Sequence, residues 1–223
     1  MAVEAAAVPA AARLKITETF YSLQGEADAV GWPTFFIRLT GCPLRCHYCD
    51  TAYAFHGGEW QAVAALIEEA RQSGARHVCV TGGEPLAQKP CLALLAGLCD
   101  AGFLVSLETS GAIDASAVHQ RVVRVIDVKT PGSGESQRNL DLSLQRLRAS
   151  DLLKFVICDR ADYEWSRDRV RGERLDSLCP VLFSPSYQQQ SAAELANWIL
   201  ADRLPVRFQV QLHKILWGDV PGR

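Results

Sequence analysis

Hydrophobic positions along the chain alternate between two patterns. Short apolar, β-branched runs occupy 35–39, 77–80, 103–107, 122–128, 152–157, 180–183 and 206–211, and predict seven strands. Between most of them apolar positions recur with a period near 3.6, most clearly over 59–72, 89–101, 163–175 and 192–200, and predict helices. Strands alternating with helices imply βαβ units, hence an α/β fold with a mostly parallel sheet. Seven strands and about six crossovers fall short of a closed eight-fold barrel. A doubly wound open sheet has the same local pattern, so periodicity leaves both geometries open. Both gather function at the carboxyl ends of the strands. The chemistry-bearing residues fall at those ends: Thr81-Gly82-Gly83-Glu84, Glu108-Thr109-Ser110-Gly111, Asp127-Val128-Lys129, Ser184-Pro185-Ser186 and His213-Lys214.

Composition narrows the class. With 223 residues, 48% hydrophobic and 22% charged, the chain reads as one globular domain over 13–223, able to bury its core without disulfides. The balance of 23 Lys+Arg against 25 Asp+Glu argues against binding nucleic acid through a basic field. No apolar run is long enough for a membrane span. Residues 1–12 are Ala-rich with Glu4 and Pro9 and no basic n-region, so they read as a frayed tail rather than a signal peptide. Eight cysteines without a secretory signal point to reduced thiols in a cytoplasmic setting, available as metal ligands.

Three of those cysteines stand close together in Gly41-Cys42-Pro43-Leu44-Arg45-Cys46-His47-Tyr48-Cys49-Asp50-Thr51, directly after the run at 35–39, with spacing C-x3-C-x2-C. Three thiolates so spaced converge on one soft metal centre only if the backbone wraps it. Structural zinc takes four protein ligands, and His47 or His56 is the nearest fourth. Three ligands instead suit a 4Fe–4S cluster with one iron left open. The remaining cysteines, Cys79, Cys91, Cys99, Cys158 and Cys179, lie singly in apolar patterns and read as small core hydrophobes.

This loop, with Tyr48 before its last cysteine, resembles the cluster loop of the radical S-adenosylmethionine (SAM) superfamily. Thr81-Gly82-Gly83-Glu84-Pro85 resembles the same superfamily's GGEP motif, where paired glycines permit close backbone approach and a carboxylate accepts from the SAM ammonium. The resemblance implies a partial (βα)6-type barrel of about seven mostly parallel strands. It also implies a 4Fe–4S cluster that cleaves SAM to methionine and a 5′-deoxyadenosyl radical. Further stretches are similar to the 7-carboxy-7-deazaguanine synthase family: Phe20-Tyr21-Ser22-Leu23-Gln24-Gly25-Glu26, Phe35-Phe36-Ile37-Arg38-Leu39, Cys49-Asp50-Thr51, Leu107-Glu108-Thr109-Ser110-Gly111, Asp127-Val128-Lys129 and Gln211-Leu212-His213-Lys214. Members of that family convert 6-carboxy-5,6,7,8-tetrahydropterin to 7-carboxy-7-deazaguanine with loss of ammonia, on the route to queuosine and other 7-deazapurines, and use Mg2+ besides cluster and SAM.

Carried over to this chain, the resemblance assigns Cys42, Cys46 and Cys49 to the cluster and the Thr51 hydroxyl to Mg2+. Leu23, Gln24, Gly25 and Thr81 would meet the pterin, and the planar fork of Arg38 would grip its carboxylate. Tyr48, Gly82, Gly83, Glu84, Asp127, Val128, Lys129, Ser184, Pro185, Ser186 and Tyr187 would surround SAM. Glu108 would accept a substrate N–H or move protons during ring contraction. It also implies an electron donor such as flavodoxin, and a homodimer. Blander readings stay open: Arg38 as an edge residue turned to water, Thr51 as a helix cap, Glu108 paired with Lys129, and Gln24-Gly25 as a plain turn. Two rival functions stay open as well. One is a glycyl-radical activase with the same cysteine spacing; the other is a non-catalytic zinc module of Cys42, Cys46, Cys49 and His56.

Overall fold

A computed structural model describes residues 12–223. The expected tail lies outside the described residues except for Ala12, which packs on the core and accepts a hydrogen bond from the Val63 amide (2.9 Å). The strands are β1 (Arg13–Leu23), β2 (Pro33–Leu39), β3 (Glu59–Ala62), β4 (His77–Gly82), β5 (Leu104–Thr109), β6 (Val123–Val128), β7 (Leu152–Ile157), β8 (Val181–Pro185) and β9 (Arg207–Phe208). They form one sheet in the order β3-β1-β2-β4-β5-β6-β7-β8-β9. From β2 through β9 every neighbouring pair is parallel, while β1 runs antiparallel to both β2 and β3. The edges β3 and β9 do not meet, so the sheet is open.

All seven sequence-predicted strands are present, and two were not foreseen. β1 keeps a period-2 alternation, with Leu14 and Ile16 buried between Arg13, Lys15 and Thr17. The helix expected over 59–72 begins only at Val63, because residues 59–62 extend along β1 as β3. The helices are α1 (Val63–Gln72), α2 (Cys91–Asp100), α3 (Asp141–Gln145), α4 (Arg160–Glu173), α5 (Ala192–Ala201) and α6 (Leu212–Trp217). The crossover count is lower than expected: no helix joins β5 to β6, and only five-residue α3 lies between β6 and β7.

Side-chain alternation decides between barrel and doubly wound sheet. Phe35, Ile37, Leu39, Val78, Val80, Val105 and Leu107 join α1 and α2 in one apolar cluster, and Leu153, Phe155, Ile157 and Phe183 join α4 and α5 in another. The intervening residues of the same strands are Arg38, Thr81, Glu108, Asp127, Lys154 and Ser184, and they line a cavity on the opposite face. One face is therefore apolar and helix-covered while the other is polar and concave, the geometry of a partial barrel. A doubly wound sheet would need apolar residues on both faces.

Candidate active site

The cavity has a volume of about 640 Å3, within the usual range of about 300–1,000 Å3 for small-molecule sites. The cysteine loop leaves the end of β2 and forms one wall. Gly41 bonds across the loop to the Ala54 carbonyl (2.8 Å), and the Glu84 amide donates to the Gly41 carbonyl (2.8 Å). A Cβ on Gly83 would lie 2.7 Å from the Cys42 Cβ, so a side chain there would push the turn off the cysteine loop. The Gly-rich segment after β6 braces the loop from the other side. The His47 amide donates to the Ser133 carbonyl (3.0 Å) and the Arg45 amide to Glu135 Oε1 (2.5 Å). Gly134, at φ 76°, leaves room for the His47 ring, 2.9 Å from where a Cβ would stand.

Cys42, Cys46 and Cys49 all line this cavity and none is in a disulfide. Burial pushes the Cys46 thiol up to about 11, offset in part by Lys129, and raises Cys42 and Cys49 as well. Among the described residues no three His, Cys, Asp or Glu side chains converge closely enough to hold a single metal ion. His56 is exposed and outside the cavity lining. The donor set thus suits a body wider than one ion, as a 4Fe–4S cluster is, and disfavours the zinc module. Three buried polar atoms of the lining find no partner among the described residues: Tyr48 Oη, Asp127 Oδ1 and Glu26 Oε1. Orphaned buried groups of this kind mark where a ligand completes the hydrogen bonding.

Most residues singled out in the sequence meet here. Leu23, Gln24, Arg38, Tyr48, Thr51, Thr81, Gly82, Gly83, Glu108, Asp127, Lys129, Ser184, Pro185, Ser186 and Tyr187 all line the cavity. Gly25, Glu84 and Val128 do not. Gly25 stands behind the wall against His213, and Val128 points into the helix-side core. Glu84 is completely buried, and its carboxylate accepts from the Leu86 amide (3.0 Å), Thr109 Oγ1 (2.9 Å), the Ser110 amide (2.8 Å) and Ser110 Oγ (2.5 Å). It ties the glycine turn to the end of β5, with its acceptor sites already engaged.

The charges of the cavity are arranged in pairs. Arg38 Nε bonds Glu18 Oε1 (2.7 Å) and lies over the Phe20 and Tyr53 rings, so it faces inward rather than to bulk water. Lys129 Nζ bonds Asp127 Oδ2 (2.8 Å), which replaces the Glu108–Lys129 pair considered from the sequence. Lys214 Nζ bonds Asp50 Oδ2 (2.7 Å), and despite partial desolvation Lys214 holds the Asp50 carboxyl down to about 2. Thr51 Oγ1 donates to the other Asp50 oxygen (2.9 Å) and so sits inside this network rather than capping the following 3-10 turn. Lys154, inward on β7, pairs with Glu26. Glu108 takes no hydrogen bond among the described residues, and burial pushes its carboxyl up to about 8 against the pull of Lys154.

Sequence reasoning missed Glu26, Asp50, Lys154, Gln211, His213 and Lys214 as site residues, although all line the cavity. Lys154 carried the signal used for Arg38, a lone charge inside an apolar run, here Leu152-Leu153-Lys154-Phe155-Val156-Ile157. Glu26, Asp50, Gln211, His213 and Lys214 all stood in the motifs quoted for the family resemblance, without being assigned a role.

Residues 36–127 match the model of the radical SAM superfamily. The chain is 40% identical over 211 residues to a 7-carboxy-7-deazaguanine synthase of Chlorobaculum tepidum, covering 93% of this chain and 96% of that one. It is 38% identical to one from Koribacter versatilis, covering 92% and 97%. Among solved structures, QueE from Escherichia coli superposes with a TM-score of 0.74 at 24% identity, covering 90% and 95%. SuiB of Streptococcus suis superposes with a TM-score of 0.60 at 12% identity, covering 77% of this chain and 46% of that one. The two superpositions bear on the fold: a radical SAM partial barrel.

Proposed function

This chain belongs to the 7-carboxy-7-deazaguanine synthase family of radical SAM enzymes, and from that premise we propose that it converts 6-carboxy-5,6,7,8-tetrahydropterin to 7-carboxy-7-deazaguanine with release of ammonia. The observation that carries the reading is the joining, in one cavity, of three free thiols from one loop with an inward Arg38 and an unpaired Glu108. When bound, a 4Fe–4S cluster with SAM supplies the one-electron chemistry that begins hydrogen abstraction, and Mg2+ supplies a hard Lewis acid.

The chain's own task is to bind, orient and manage protons. Cys42, Cys46 and Cys49 hold the cluster, and Thr51 offers its hydroxyl toward Mg2+. Gly82 and Gly83 give SAM close access to the backbone. Asp127 and Lys129 on one side and the 184–187 loop on the other enclose it. Arg38, steadied by Glu18, meets the substrate carboxylate with the guanidinium nitrogens left over. Leu23 and Gln24 meet the pterin edge, with Thr81 across from Arg38 in the β2–β4 register. Glu108, protonated below about pH 8, delivers a proton to the nitrogen that leaves as ammonia.

Glu84 supports SAM indirectly in this picture, by fixing the glycine turn. Residues 13–223 act as a single catalytic domain. An electron donor such as flavodoxin, a homodimeric state and a cytoplasmic setting belong to the same reading, the last supported by eight thiols without a disulfide. Among the described residues no helix is long and apolar enough to cross a membrane. The concave acidic and basic lining suits a small acidic substrate better than the protein partner of an activase.

The test is anaerobic turnover of cluster-loaded protein with SAM, reductant, Mg2+ and 6-carboxytetrahydropterin, read by mass spectrometry. Deazaguanine product together with 5′-deoxyadenosine is expected. Deoxyadenosine without deazaguanine would remove the substrate assignment and favour the activase.

A further inference from the structure

The charged groups of the cavity do not balance evenly. Four cations around the cavity pair with carboxylates: Arg38 with Glu18, Lys129 with Asp127, Lys154 with Glu26, and Lys214 with Asp50 and, at 3.5 Å, Asp219; Arg223 lines the cavity as well. Glu108 is left over. It points inward from β5 between β4 and β6, where the nearest neighbours across the strands are not cations. The cation that pulls on it is Lys154, which stands opposite Asp127 in the β6–β7 register and is committed to Glu26, 128 residues earlier in the chain.

We propose that Lys154 is a positioning residue for the reaction, held by Glu26 in an ion pair that leaves Glu108 without a counter-ion as the acid that carries the cavity's mobile proton. The inference rests on the deazaguanine synthase reading for what that proton is used for, but not for the coupling itself.

The geometry makes Lys154 the deciding group. It is nine-tenths buried, and its ammonium cannot stay unpaired at that depth. Burial opposes its charge, yet Glu26, Glu108 and Asp127 together hold it charged. With one ammonium between two carboxylates, the one it does not take is left without a counter-ion, and for Glu108 burial then favours the protonated form. Glu26 is the partner it takes because the segment carrying it is fastened in place: Gln24 Oε1 accepts from the Gly25 amide (2.9 Å), and Gln209 bonds both the amide and the carbonyl of Ala27 (2.6 and 2.9 Å). The other groups facing this centre act in the same field. Asp28 and Asp127 raise the Glu108 carboxyl along with Glu26. The Cys79 thiol on β4 stays protonated through burial beside Glu108. From α6, His213 is kept neutral by burial with Lys214 and Lys154 near it, while Lys214 itself is held by Asp50.

Opposite perturbations should move one proton in opposite directions. Lys154→Met removes the cation that favours ionised Glu108, so the alkaline limb of deazaguanine formation is expected to rise by about one pH unit or more. Glu26→Gln frees Lys154 to pair with Glu108, and the limb is expected to fall by a similar amount. Lys154→Arg should keep the wild-type limb. Difference infrared titration of the oxidised, cluster-loaded protein gives a second readout. There the carboxyl band that Glu108→Gln abolishes should titrate higher in the first variant and lower in the second. A purely structural Lys154 would lower activity or melting temperature in both variants without splitting their pH profiles. Coincident titration of the band in wild type and both variants would overturn the inference. Failure of the wild type to make deazaguanine would instead sink the functional reading, leaving the infrared titration to decide the coupling.

Discussion

Gly25 is the residue whose replacement most directly tests how the carboxyl-terminal helix closes the cavity. Its φ is not in the left-handed region, so an alanine backbone is allowed there. The space is not: an added Cβ would lie 2.9 Å from His213 Cγ and closer still to Nδ1, whereas ordinary contact begins near 3.4 Å. The ring is also half-buried and its helix is hung on the same residue, since the Leu212 amide donates to the Gly25 carbonyl (3.0 Å). Gly25→Ala therefore has to displace His213, and with it Lys214, from the wall. Overpacking of this kind costs about 1–3 kcal/mol, and for a chain of this length each kcal/mol lowers the melting temperature by roughly 2–4 °C. Because the strain falls on α6 and not on the cysteine loop, iron content should stay at the wild-type level while KM for the pterin rises. His213→Ala in the same chain removes the clash and should recover most of the lost stability, giving a large coupling in a double-mutant cycle. Equal melting temperatures for wild type and Gly25→Ala, or additive effects of the two substitutions, would refute the reasoning.

Three other outcomes follow from the site. Glu84→Gln should unload its network, because an amide presents one acceptor oxygen where the carboxylate now serves Thr109, Ser110 and Leu86 with two; a loss of about 1–3 kcal/mol in chemical denaturation is expected, and an unchanged midpoint would mean the network is not the role of Glu84. Thr51→Ala should retain iron and deoxyadenosine formation but lose the Mg2+ response of deazaguanine formation, and an unaltered Mg2+ titration would take Thr51 out of the metal site. The Asp50 carboxyl is held below its unfolded value by Lys214, so its stabilisation is complete above about pH 4 and lost as pH falls toward 2. Lys214→Met should remove that part of the acid sensitivity, read as a smaller change in melting temperature between pH 5 and pH 3, though the half-exposed carboxylate limits its size.

The parallel strands β2 and β4 to β8 were legible because each is buried on at least its helix side and therefore reads as an apolar run. β1 was not, since its first half alternates polar and apolar residues and its second half is only partly buried, with Phe20 and Leu23 in the cavity wall. The 59–62 segment was hidden by a different cause: a helical period beginning at Val63 extends by chance into residues that β1 captures as an edge strand. The missing β5–β6 helix follows from the turns over 110–122, whose backbone bonds within itself at Val118 to Ala115 and Val122 to His119. Local pattern records how a segment is buried, and β1, β3 and the 110–122 connection are shaped instead by what they pair with.

The same distinction explains the site. Cys42, Cys46 and Cys49 were legible because their chemistry is local, three donors within eight residues of one loop. Glu84 was legible as a motif, and the structure adds what the motif does within the protein: its glycines and carboxylate seal the turn onto the cysteine loop and the end of β5. Lys154 and Glu26 were invisible as a pair because 128 residues separate them, and neither carries a spacing that points to the other. On the proposed reading that pair bears on what Glu108 does: a Lys154 turned to Glu108 would favour its ionised form, whereas Lys154 on Glu26 leaves the Glu108 carboxyl raised by burial and able to donate. A residue type at a strand end names a candidate acid or base, and the counter-ion brought to it by the fold decides which of the two it is.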